Sequence, residues 1–275
     1  MRSYALIATH HKTGSVWMRT VFRAIGRALG VPFINPNRKL SLDRDAPPEA
    51  GIIFSDHSDF SSCARLLDHP RSRIMHIIRD PRDVLISAMH YHRHAKETWL
   101  HAPRKGLGGM SYQEKLNRLR DDQSRYIFEM ERSSMRVISD MQKWNYQRTN
   151  SFECKYEELI ADEEMEIVSK LLTHLGFEDH ELEMCRGIFW ENSLFGKLKG
   201  SQSTHIRSGA LRQWPTVFDT SLAAAFLERF PDALVRLGYE SDNSWADEIA
   251  HRSAAGTDMN RSQAAETETP SMAQR

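Results

Sequence analysis

Short apolar runs alternate along the chain with longer stretches in which apolar residues recur every three or four positions. Four runs rich in apolar and β-branched residues predict buried strands. They are Tyr4 to Ala8, Ile52 to Ser55, Ile74 to Ile78 and Ser151 to Lys155. Strands that alternate with helices are joined by right-handed crossovers and form a parallel sheet. The pattern therefore predicts an α/β fold in which helices cover a central parallel sheet.

The first helical stretch has the clearest pattern. Its apolar residues lie on one helix face and are Met18, Phe22, Ile25 and Leu29. Gly30 and Pro32 follow this stripe, and they predict that the helix ends there.

A second helical stretch runs from about Tyr112 to Tyr146 and is highly charged. We expect an inward-facing apolar stripe on it that packs in the core. The stripe consists of Met130, Met135, Ile138, Met141 and Trp144.

The length and composition are those of a protein with one substantial core. The chain has 275 residues, of which 40% are hydrophobic and 27% charged. No linker interrupts it, so we expect a single domain over residues 1–250. Residues 251–275 are too polar to offset the entropy of ordering them, and we expect a disordered tail there.

The charge balance argues against one class of binding partner. The 37 basic residues equal the 37 acidic residues in number, and a neutral chain does not hold a nucleic-acid polymer through its overall field. Cys63, Cys154 and Cys185 are far apart and odd in number, which suits a reducing compartment. No apolar segment approaches the roughly 20 residues that span a membrane, and no export signal is seen. We expect a soluble, cytoplasmic protein with a local anion site.

The residues between the first strand and the first helix have the chemistry of an anion cradle. They read Ala8-Thr9-His10-His11-Lys12-Thr13-Gly14-Ser15-Val16-Trp17. A helix that begins here directs its free N–H groups and the positive end of its dipole at the loop. Lys12 adds a full charge and Gly14 allows close backbone approach. The hydroxyls of Thr13 and Ser15 are further donors. The lysine precedes the glycine, unlike the order in P-loop nucleotide hydrolases.

A second strand-to-helix junction carries an arginine. It reads His76-Ile-Ile-Arg79-Asp-Pro-Arg82-Asp-Val-Leu-Ile-Ser87. Asp80 suits a helix N-cap and Pro81 a first helical turn, while Arg79 can present its guanidinium to a phosphate. Ligands of open α/β sheets bind outside the carboxyl ends of the strands. Two anion sites in one crevice indicate a nucleotide with phosphates at both ends.

These motifs, in this order, resemble the sulfotransferase family that uses 3′-phosphoadenosine 5′-phosphosulfate (PAPS). The resemblance covers about residues 4 to 240. It rests on Lys12-Thr-Gly-Ser-Val-Trp17, Arg79 with Ser87, Lys155-Tyr156-Glu-Glu-Leu159, Arg207-Ser-Gly209 and Trp214. It implies a three-layer, P-loop-NTPase-like fold and the transfer of a sulfuryl group to a hydroxyl of a small acceptor, with release of 3′,5′-ADP. No metal is required in this scheme.

The resemblance also assigns cofactor contacts. It implies that Lys12, Thr13, Gly14, Ser15, Val16 and Trp17 hold the 5′-phosphosulfate, with Trp17 stacked on adenine. Arg79 and Ser87 match the pair that grips the 3′-phosphate. The late loop Arg207, Ser208 and Gly209 matches a segment that closes on the same phosphate. Tyr156 matches a further cofactor contact, and Ser193 and Phe195 match adenine-side contacts, with Phe195 opposite Trp17.

The catalytic roles follow from the same resemblance and from position. His57 follows the second strand and stands 22 residues before Arg79, and a histidine can take the proton of an attacking hydroxyl. We expect Asp56 or Asp59 to orient its ring. Lys12 would stabilise the leaving oxygen, and Ser87 would restrain that lysine before the acceptor binds.

Two alternative functions remain open. A P-loop kinase for a small metabolite would share the fold, and a non-catalytic 3′,5′-ADP-binding module would share the cradle. His90 and His94 share a helix face but lack a third metal ligand, so we expect His90, His92 and His94 to line the acceptor pocket or its rim. Residues 99–110 are expected to act as the lid of this pocket.

Arg212 departs from the family pattern, because it stands where many family members have a second glycine. The oligomeric state stays open.

Overall fold

The computed structural model describes residues 3–36, 50–198 and 211–252. Within these ranges, five parallel strands form one sheet in the order β2-β3-β1-β4-β5. Their bounds are β1 Tyr4–Ala8, β2 Phe33–Ile34, β3 Gly51–Ser55, β4 Ser72–Ile78 and β5 Ser151–Lys155. Helices flank this sheet, so the predicted α/β architecture is confirmed. The predicted late-loop contacts Arg207, Ser208 and Gly209 and nearly all of the predicted tail lie outside the described residues.

The four strands predicted from apolar runs are present, and β2 was missed. All five residues of β1 and of β3 are buried, because these strands are central and covered on both faces. In contrast, β2 has two half-buried residues at the edge of the sheet. A strand of two residues leaves too short a hydrophobic pattern to be recognised.

Twelve α-helices surround the sheet in the described part of the chain. They are α1 Ser15–Leu29, α2 Pro81–His92, α3 Thr98–His101, α4 Tyr112–Arg118, α5 Asp122–Met130, α6 Ser133–Lys143, α7 Tyr156–Ile160, α8 Glu166–His174, α9 Asp179–Glu191, α10 Trp214–Val217, α11 Thr220–Arg229 and α12 Ala233–Arg236. Short 3₁₀ segments occur at Ser61–Leu66 and Lys105–Leu107, and residues 245–252 are also helical. No helix in these ranges combines the length and apolarity needed to cross a bilayer.

One face of the sheet packs against α1, α8 and α9. Ala5 and Ile7 of β1 point to this face, whereas Tyr4, Leu6 and Ala8 pack with Phe60 and the 3₁₀ segment that follows it. This division follows from the two-residue period of a strand. The predicted stripe of α1 is buried at Met18, Phe22 and Ile25 and half-buried at Leu29. Gly30 ends α1 in the left-handed conformation with φ 65°, as predicted.

The charged stretch after Tyr112 forms three helices, α4 to α6, in a second core together with α2, α11 and α12. Met130, Ile138 and Met141 are buried as predicted, but Met135 is 38% exposed. Its assignment to the stripe was wrong because the chain leaves the helical conformation at Arg132, with φ −131° and ψ −95°. This break gives α6 its own buried face, which consists of Ser134, Val137, Ile138 and Met141.

A buried arginine, Arg82, joins the C-terminal helices of this second core to α2. The guanidinium of Arg82 is 2.8 Å from the carboxylate of Asp80, which caps α2, and 2.6 Å from that of Glu240. It also lies 3.6 Å from the centre of the Trp214 ring and 4.8 Å from that of Trp245. Arg82 is 1% exposed, so the carboxylates and rings replace its water and hold the C-terminal helices against α2.

We therefore predict that Arg82→Leu lowers the free energy of unfolding by about 3–5 kcal/mol, because it leaves the carboxylate of Asp80 buried without its partner. Urea denaturation followed by circular dichroism measures the change. The matched control is Arg148→Leu, which breaks an exposed ion pair with Asp68 and is expected to cost about 1 kcal/mol or less. Equal losses for the two variants would contradict the role of Arg82.

Candidate functional site

A cavity of about 1090 Å³ opens at the carboxyl ends of β1, β3 and β4. It lies there because these strands are parallel neighbours, with Ala8 paired to Ser55 on one side and to His76 on the other. The loops that follow the three strands must meet at this end of the sheet. Of the predicted site residues, the cavity is lined by His57, Lys12, Gly14, Ser15, Val16, Trp17, Arg79, Ser87 and Tyr156.

The loop from Thr9 to Gly14 forms the floor of the cavity. Lys12 has φ 67° and Gly14 has φ 97°, so two residues near the start of α1 adopt left-handed conformations. A Cβ on residue 14 would lie 3.1 Å from the Tyr156 ring, which explains the need for glycine there. No side chain caps the N-terminus of α1. Its first N–H groups are therefore available to an anion in the cavity.

The hydroxyl groups of this loop mainly hold the loop together. Thr13 is fully buried, and its Oγ1 donates to the carbonyl of His10 at 2.9 Å. Ser15 Oγ donates to the same carbonyl at 2.7 Å and accepts from Thr9 Oγ1 at 3.0 Å. Thr13 does not reach the cavity wall, so its predicted role as a hydroxyl donor to a ligand is not supported by its position. Ser15 reaches the wall but its proton is already donated.

Lys12 is the cation at the centre of the cradle. Its Nζ lies 3.9 Å from the centre of the Tyr91 ring. Burial and, second, repulsion by Arg79 lower the pKa of Lys12 to about 8, while the carboxylate of Glu97 opposes this shift. The ammonium form is therefore poorly stabilised by the protein alone, and an anion in the cavity would stabilise it.

Arg79 approaches the cradle from the end of β4. Its Nη1 donates to the carbonyl of Lys12 at 3.1 Å, and its guanidinium lies 4.6 Å from the centre of the Tyr156 ring. The side chain is only about 8% exposed and its Nη2 is 3.7 Å from Asp83. Arg79 Nε is buried and has no hydrogen-bond partner among the described residues. A buried donor without a partner is costly, and it marks a place where a ligand acceptor fits.

Asp83 connects Arg79 to the late part of the chain. Its Oδ1 accepts the backbone N–H groups of Gln213 and Trp214 at 3.0 and 3.1 Å. The carboxylate therefore holds the start of α10 close to Arg79. Burial raises the pKa of Asp83, against the attraction of Arg79. The predicted closing loop ends just before this anchored point.

Aromatic residues form the wall beyond the cradle. Trp17 contacts Tyr156 and Phe195 edge to face, with ring centres 6.4 and 6.3 Å apart, and its Nε1 is buried without a partner in the described residues. The planes of Trp17 and Phe195 meet at 77°, so they do not form a parallel pair. Ser193 is 1% exposed and donates to the carbonyl of Trp190. The wall here is formed instead by Asn192, Leu194 and Leu198.

His57 lies at the exposed rim of the cavity, after β3. Neither expected carboxylate is bonded to it in the described part of the chain. Asp56 pairs with Arg19, and Asp59 accepts the backbone N–H of Ser61 at 2.9 Å. The following residue, Ser58, anchors this turn to the floor of the cavity. Its Oγ donates to the carbonyl of Thr9 at 3.1 Å.

Two histidine pairs extend from the cavity lining into the interior, and the sequence did not predict either. The ring nitrogens His10 Nε2 and His76 Nε2 are 2.9 Å apart, and His76 stacks on Trp144 with centres 4.2 Å apart. Burial lowers the pKa of His76 to about 3, so this pair supports the floor without adding charge. His11 Nε2 and His92 Nε2 are 3.0 Å apart.

Residue positions along the strands offered a signal for the first pair. His76 is paired in register with Ala8, so it must lie near the residues that follow β1. No comparable signal linked His11 to His92. The expectation that His90, His92 and His94 line the cavity or its rim was wrong, because the cavity lining contains none of them. His92 is fully buried, His90 contacts Tyr126 and His94 is exposed to solvent away from the lining. No group of three or more metal-ligating side chains occurs in the described ranges.

The wall opposite the cradle combines aromatic rings with charges. Tyr91 and Trp99 both donate to Glu97, at 2.9 and 2.6 Å, and Tyr112 packs against Trp99 with ring centres 5.2 Å apart. The charged residues of this wall are Arg104, Glu131, Arg132, Arg136 and Asp140. Trp99 and Arg104 belong to the segment 99–110, which therefore forms part of the cavity wall.

Comparisons with known proteins identify the family and the fold. The family model described as "Sulfotransferase domain" matches residues 2–238. The structure is similar to that of mouse sulfotransferase SULT7A1 complexed with PAP, with a TM-score of 0.58, 16% identity, and coverage of 90% of this chain and 89% of that chain. A retinol dehydratase in complex with androsterone and inactive cofactor PAP has a TM-score of 0.49, 14% identity, and coverage of 84% and 80%. No curated protein sequence matches.

We predict that Lys12 in the ligand-free protein is an ammonium below about pH 8 and a neutral amine above it. Arg79→Gln removes the repulsion and is expected to raise the pKa of Lys12, whereas Glu97→Gln removes an attraction and is expected to lower it. A ¹³C NMR titration of labelled lysines measures these values, with Lys12→Arg identifying the resonance. A pKa of Lys12 that stays unchanged in Arg79→Gln would contradict this electrostatic coupling.

Proposed function

The chain belongs to the sulfotransferase family, and we propose that it transfers a sulfuryl group from PAPS to the hydroxyl of a small acceptor, with release of 3′,5′-ADP. One observation carries the proposal. Lys12, Arg79 and the uncapped N-terminus of α1 converge on one cavity, and they repel each other until an anion binds.

The residues that line the cavity fit PAPS as the donor of the sulfuryl group. Arg79 Nε and Trp17 Nε1 are buried hydrogen-bond donors without partners in the described residues, and the N-terminus of α1 has no side-chain cap. The mouse sulfotransferase of similar fold is complexed with PAP, which is 3′,5′-ADP. Two separate cations, Lys12 and Arg79, line this cavity, and each can bind one of the two phosphate groups of such a nucleotide.

We assign the donor contacts on that basis. The cradle formed by Lys12, Gly14, Ser15 and the N–H groups of α1 would hold the 5′-phosphosulfate. Arg79 and Ser87 would hold the 3′-phosphate, and Trp17 and Tyr156 would contact the base. The predicted contacts of Arg207, Ser208 and Gly209 join this proposal because α10, which follows them, is anchored by Asp83.

When bound, PAPS supplies a sulfuryl group on a good leaving group. Lys12 stabilises negative charge that develops on the leaving oxygen, and its ammonium form is restored by the nearby anion. The aromatic wall and the cradle hold the two reactants in line, which is the main source of acceleration in reactions of this kind. These residues need no metal ion for their roles.

His57 is the proposed base. It lines the cavity from the β3 side and is exposed, so it can release its proton to solvent. A proton on the acceptor hydroxyl would move to a ring nitrogen of His57 as the oxygen attacks sulfur. Ser58 fixes the turn that carries His57, through its bond to the carbonyl of Thr9.

The acceptor is proposed to be a small molecule with a flat or apolar part. Tyr91, Trp99 and Tyr112 supply a contact surface for such a group, and the cavity of about 1090 Å³ is large enough for a donor and an acceptor together. We also propose a cytoplasmic location, because Cys63, Cys154 and Cys185 are all free thiols. A small-metabolite kinase or a non-catalytic 3′,5′-ADP-binding module is not favoured.

We predict that 3′,5′-ADP raises the melting temperature more than ATP or GTP does, because only 3′,5′-ADP places a phosphate at Arg79. Arg79→Ala is expected to weaken 3′,5′-ADP binding by at least about tenfold, since a charge-assisted hydrogen bond is lost. Isothermal titration calorimetry measures the affinities of the wild-type protein and of Arg79→Ala for 3′,5′-ADP. Arg71→Ala is the matched control, because Arg71 also stacks on a tyrosine, Tyr4, far from the cavity. Preferential binding of ATP would favour the kinase alternative.

We predict that His57→Ala lowers kcat roughly 10²–10⁴-fold, the usual contribution of a general base, while the Kd for 3′,5′-ADP stays the same. The assay follows transfer of ³⁵S from labelled PAPS to a panel of phenols, alcohols and sugars. His69→Ala, at the opposite end of β4, serves as the control. Wild-type-like turnover in His57→Ala would refute the assignment of the base.

A further inference from the structure

A chain of hydrogen bonds runs from the cavity into the helical core. His11 lines the cavity, and its Nε2 lies 3.0 Å from Nε2 of His92. His92 Nδ1 lies 2.9 Å from Oε2 of Glu129. Both His92 and Glu129 are 0% exposed. The three side chains therefore connect solvent in the cavity with a carboxylate in the interior.

The partners of Glu129 determine where the hydrogens lie. Its Oε2 also accepts from the Tyr112 hydroxyl at 2.8 Å, and its Oε1 accepts from Ser134 at 3.2 Å. The carboxylate thus serves as an acceptor throughout, and His92 Nδ1 must donate to it. In neutral His92, Nε2 then carries the lone pair. His11 Nε2 must donate to that lone pair, which leaves Nδ1 of His11 unprotonated.

Nδ1 of His11 is the free end of this chain. No described residue forms a hydrogen bond with it, and His11 belongs to the cavity wall. A lone pair there accepts a hydrogen bond from a hydroxyl group and repels the oxygens of an anion. The hydroxyl group that receives the sulfuryl group therefore matches this position, whereas the anionic PAPS does not.

The groups that surround His11 and His92 differ in charge. Burial lowers the pKa of His11 well below its usual value, followed by the effects of His92, Lys12 and His57. A proton that moves one ring inward lies against Glu129 instead and further from those cations. The rings of Trp99 and Tyr112, with centres 5.0 and 5.6 Å from that of His92, keep water away from it.

We propose that His11, His92 and Glu129 form a second route for the acceptor proton, in parallel with His57. This proposal rests on the proposed sulfotransferase function. As the acceptor oxygen attacks sulfur, its O–H bond breaks and an N–H bond forms at Nδ1 of His11. The N–H bond at Nε2 of His11 then breaks and one forms at Nε2 of His92. His11 is neutral again, His92 is an imidazolium paired with Glu129, and the reverse transfers return the proton to solvent. His11 is the catalytic residue of this route, and His92 and Glu129 are positioning residues.

The kinetic test uses His57→Ala as the background, because the second route then carries the residual turnover. Adding Glu129→Gln is expected to lower kcat at least tenfold further, with the KM for PAPS unchanged. In wild type the same substitution is expected to have a smaller effect. The control is Glu181→Gln, an identical change at a buried carboxylate of α9 outside the cavity. A double variant equal to His57→Ala, or a His57→Ala enzyme with no turnover above the uncatalysed rate, would overturn the proposal.

A second measurement depends on neither turnover nor the folding of a Glu129 variant. Long-range ¹H–¹⁵N NMR spectra of the ligand-free wild-type protein are expected to show His92 protonated at Nδ1 and His11 protonated at Nε2. Spectra of His11→Asn assign the His11 signals. A proton on Nδ1 of neutral His11 would overturn the relay. A wild-type protein that transfers no sulfuryl group to any hydroxyl acceptor would instead refute the proposed function, whatever the tautomers are.

Discussion

The central constraint in this protein is the meeting of two cations at one end of a parallel sheet. Strands β1 and β4 are neighbours in register, so the residues that follow them, Lys12 and Arg79, are brought together with little solvent. Their repulsion and burial lower the pKa of Lys12 to about 8. The surrounding structure stabilises these two cations in part but does not neutralise their charge.

The protein compensates the charge of Arg79 only in part. Arg79 has a backbone carbonyl, a tyrosine face and the carboxylate of Asp83 at 3.7 Å, yet its Nε has no partner among the described residues. Arg82, three residues later, has carboxylates at 2.8 and 2.6 Å and tryptophan rings beside it, although its Nη1 also has no hydrogen-bond partner among the described residues. The close carboxylates balance the charge of Arg82, which holds the helical layers together. Arg79 lines the cavity and its nearest carboxylate is 3.7 Å away, so it retains binding capacity for a ligand, which is the expected difference between a structural and a functional charge.

Histidines supply support that adds no further positive charge. Burial lowers the pKa of His10, His11 and His76, so these rings are neutral beside the cations. The pair behind the floor ends at Trp144, whereas the pair behind the wall ends at a buried carboxylate, Glu129. A carboxylate lies near both pairs, but Glu153 is partly exposed and 3.5 Å from His76 Nδ1, whereas Glu129 is fully buried and 2.9 Å from His92 Nδ1. The second arrangement therefore places the closer and better shielded anion against an imidazole.

The order of apolar runs along the sequence predicted four of the five described strands, the first helix and the position of the cradle, because burial of alternating or periodic faces dominates the free energy of folding. It also predicted that Lys12 and Arg79 lie at the ligand-binding end of the sheet, since any residue just after a central parallel strand lies there. The tertiary structure alone decided which side chains face the cavity. Thr13 and Ser193 satisfy the backbone instead, Met135 turns outward after a helix break at Arg132, and His92 meets His11 across 81 residues. Hydrogen bonds and packing between distant segments determine these orientations, and hydrophobic periodicity contains no information about them.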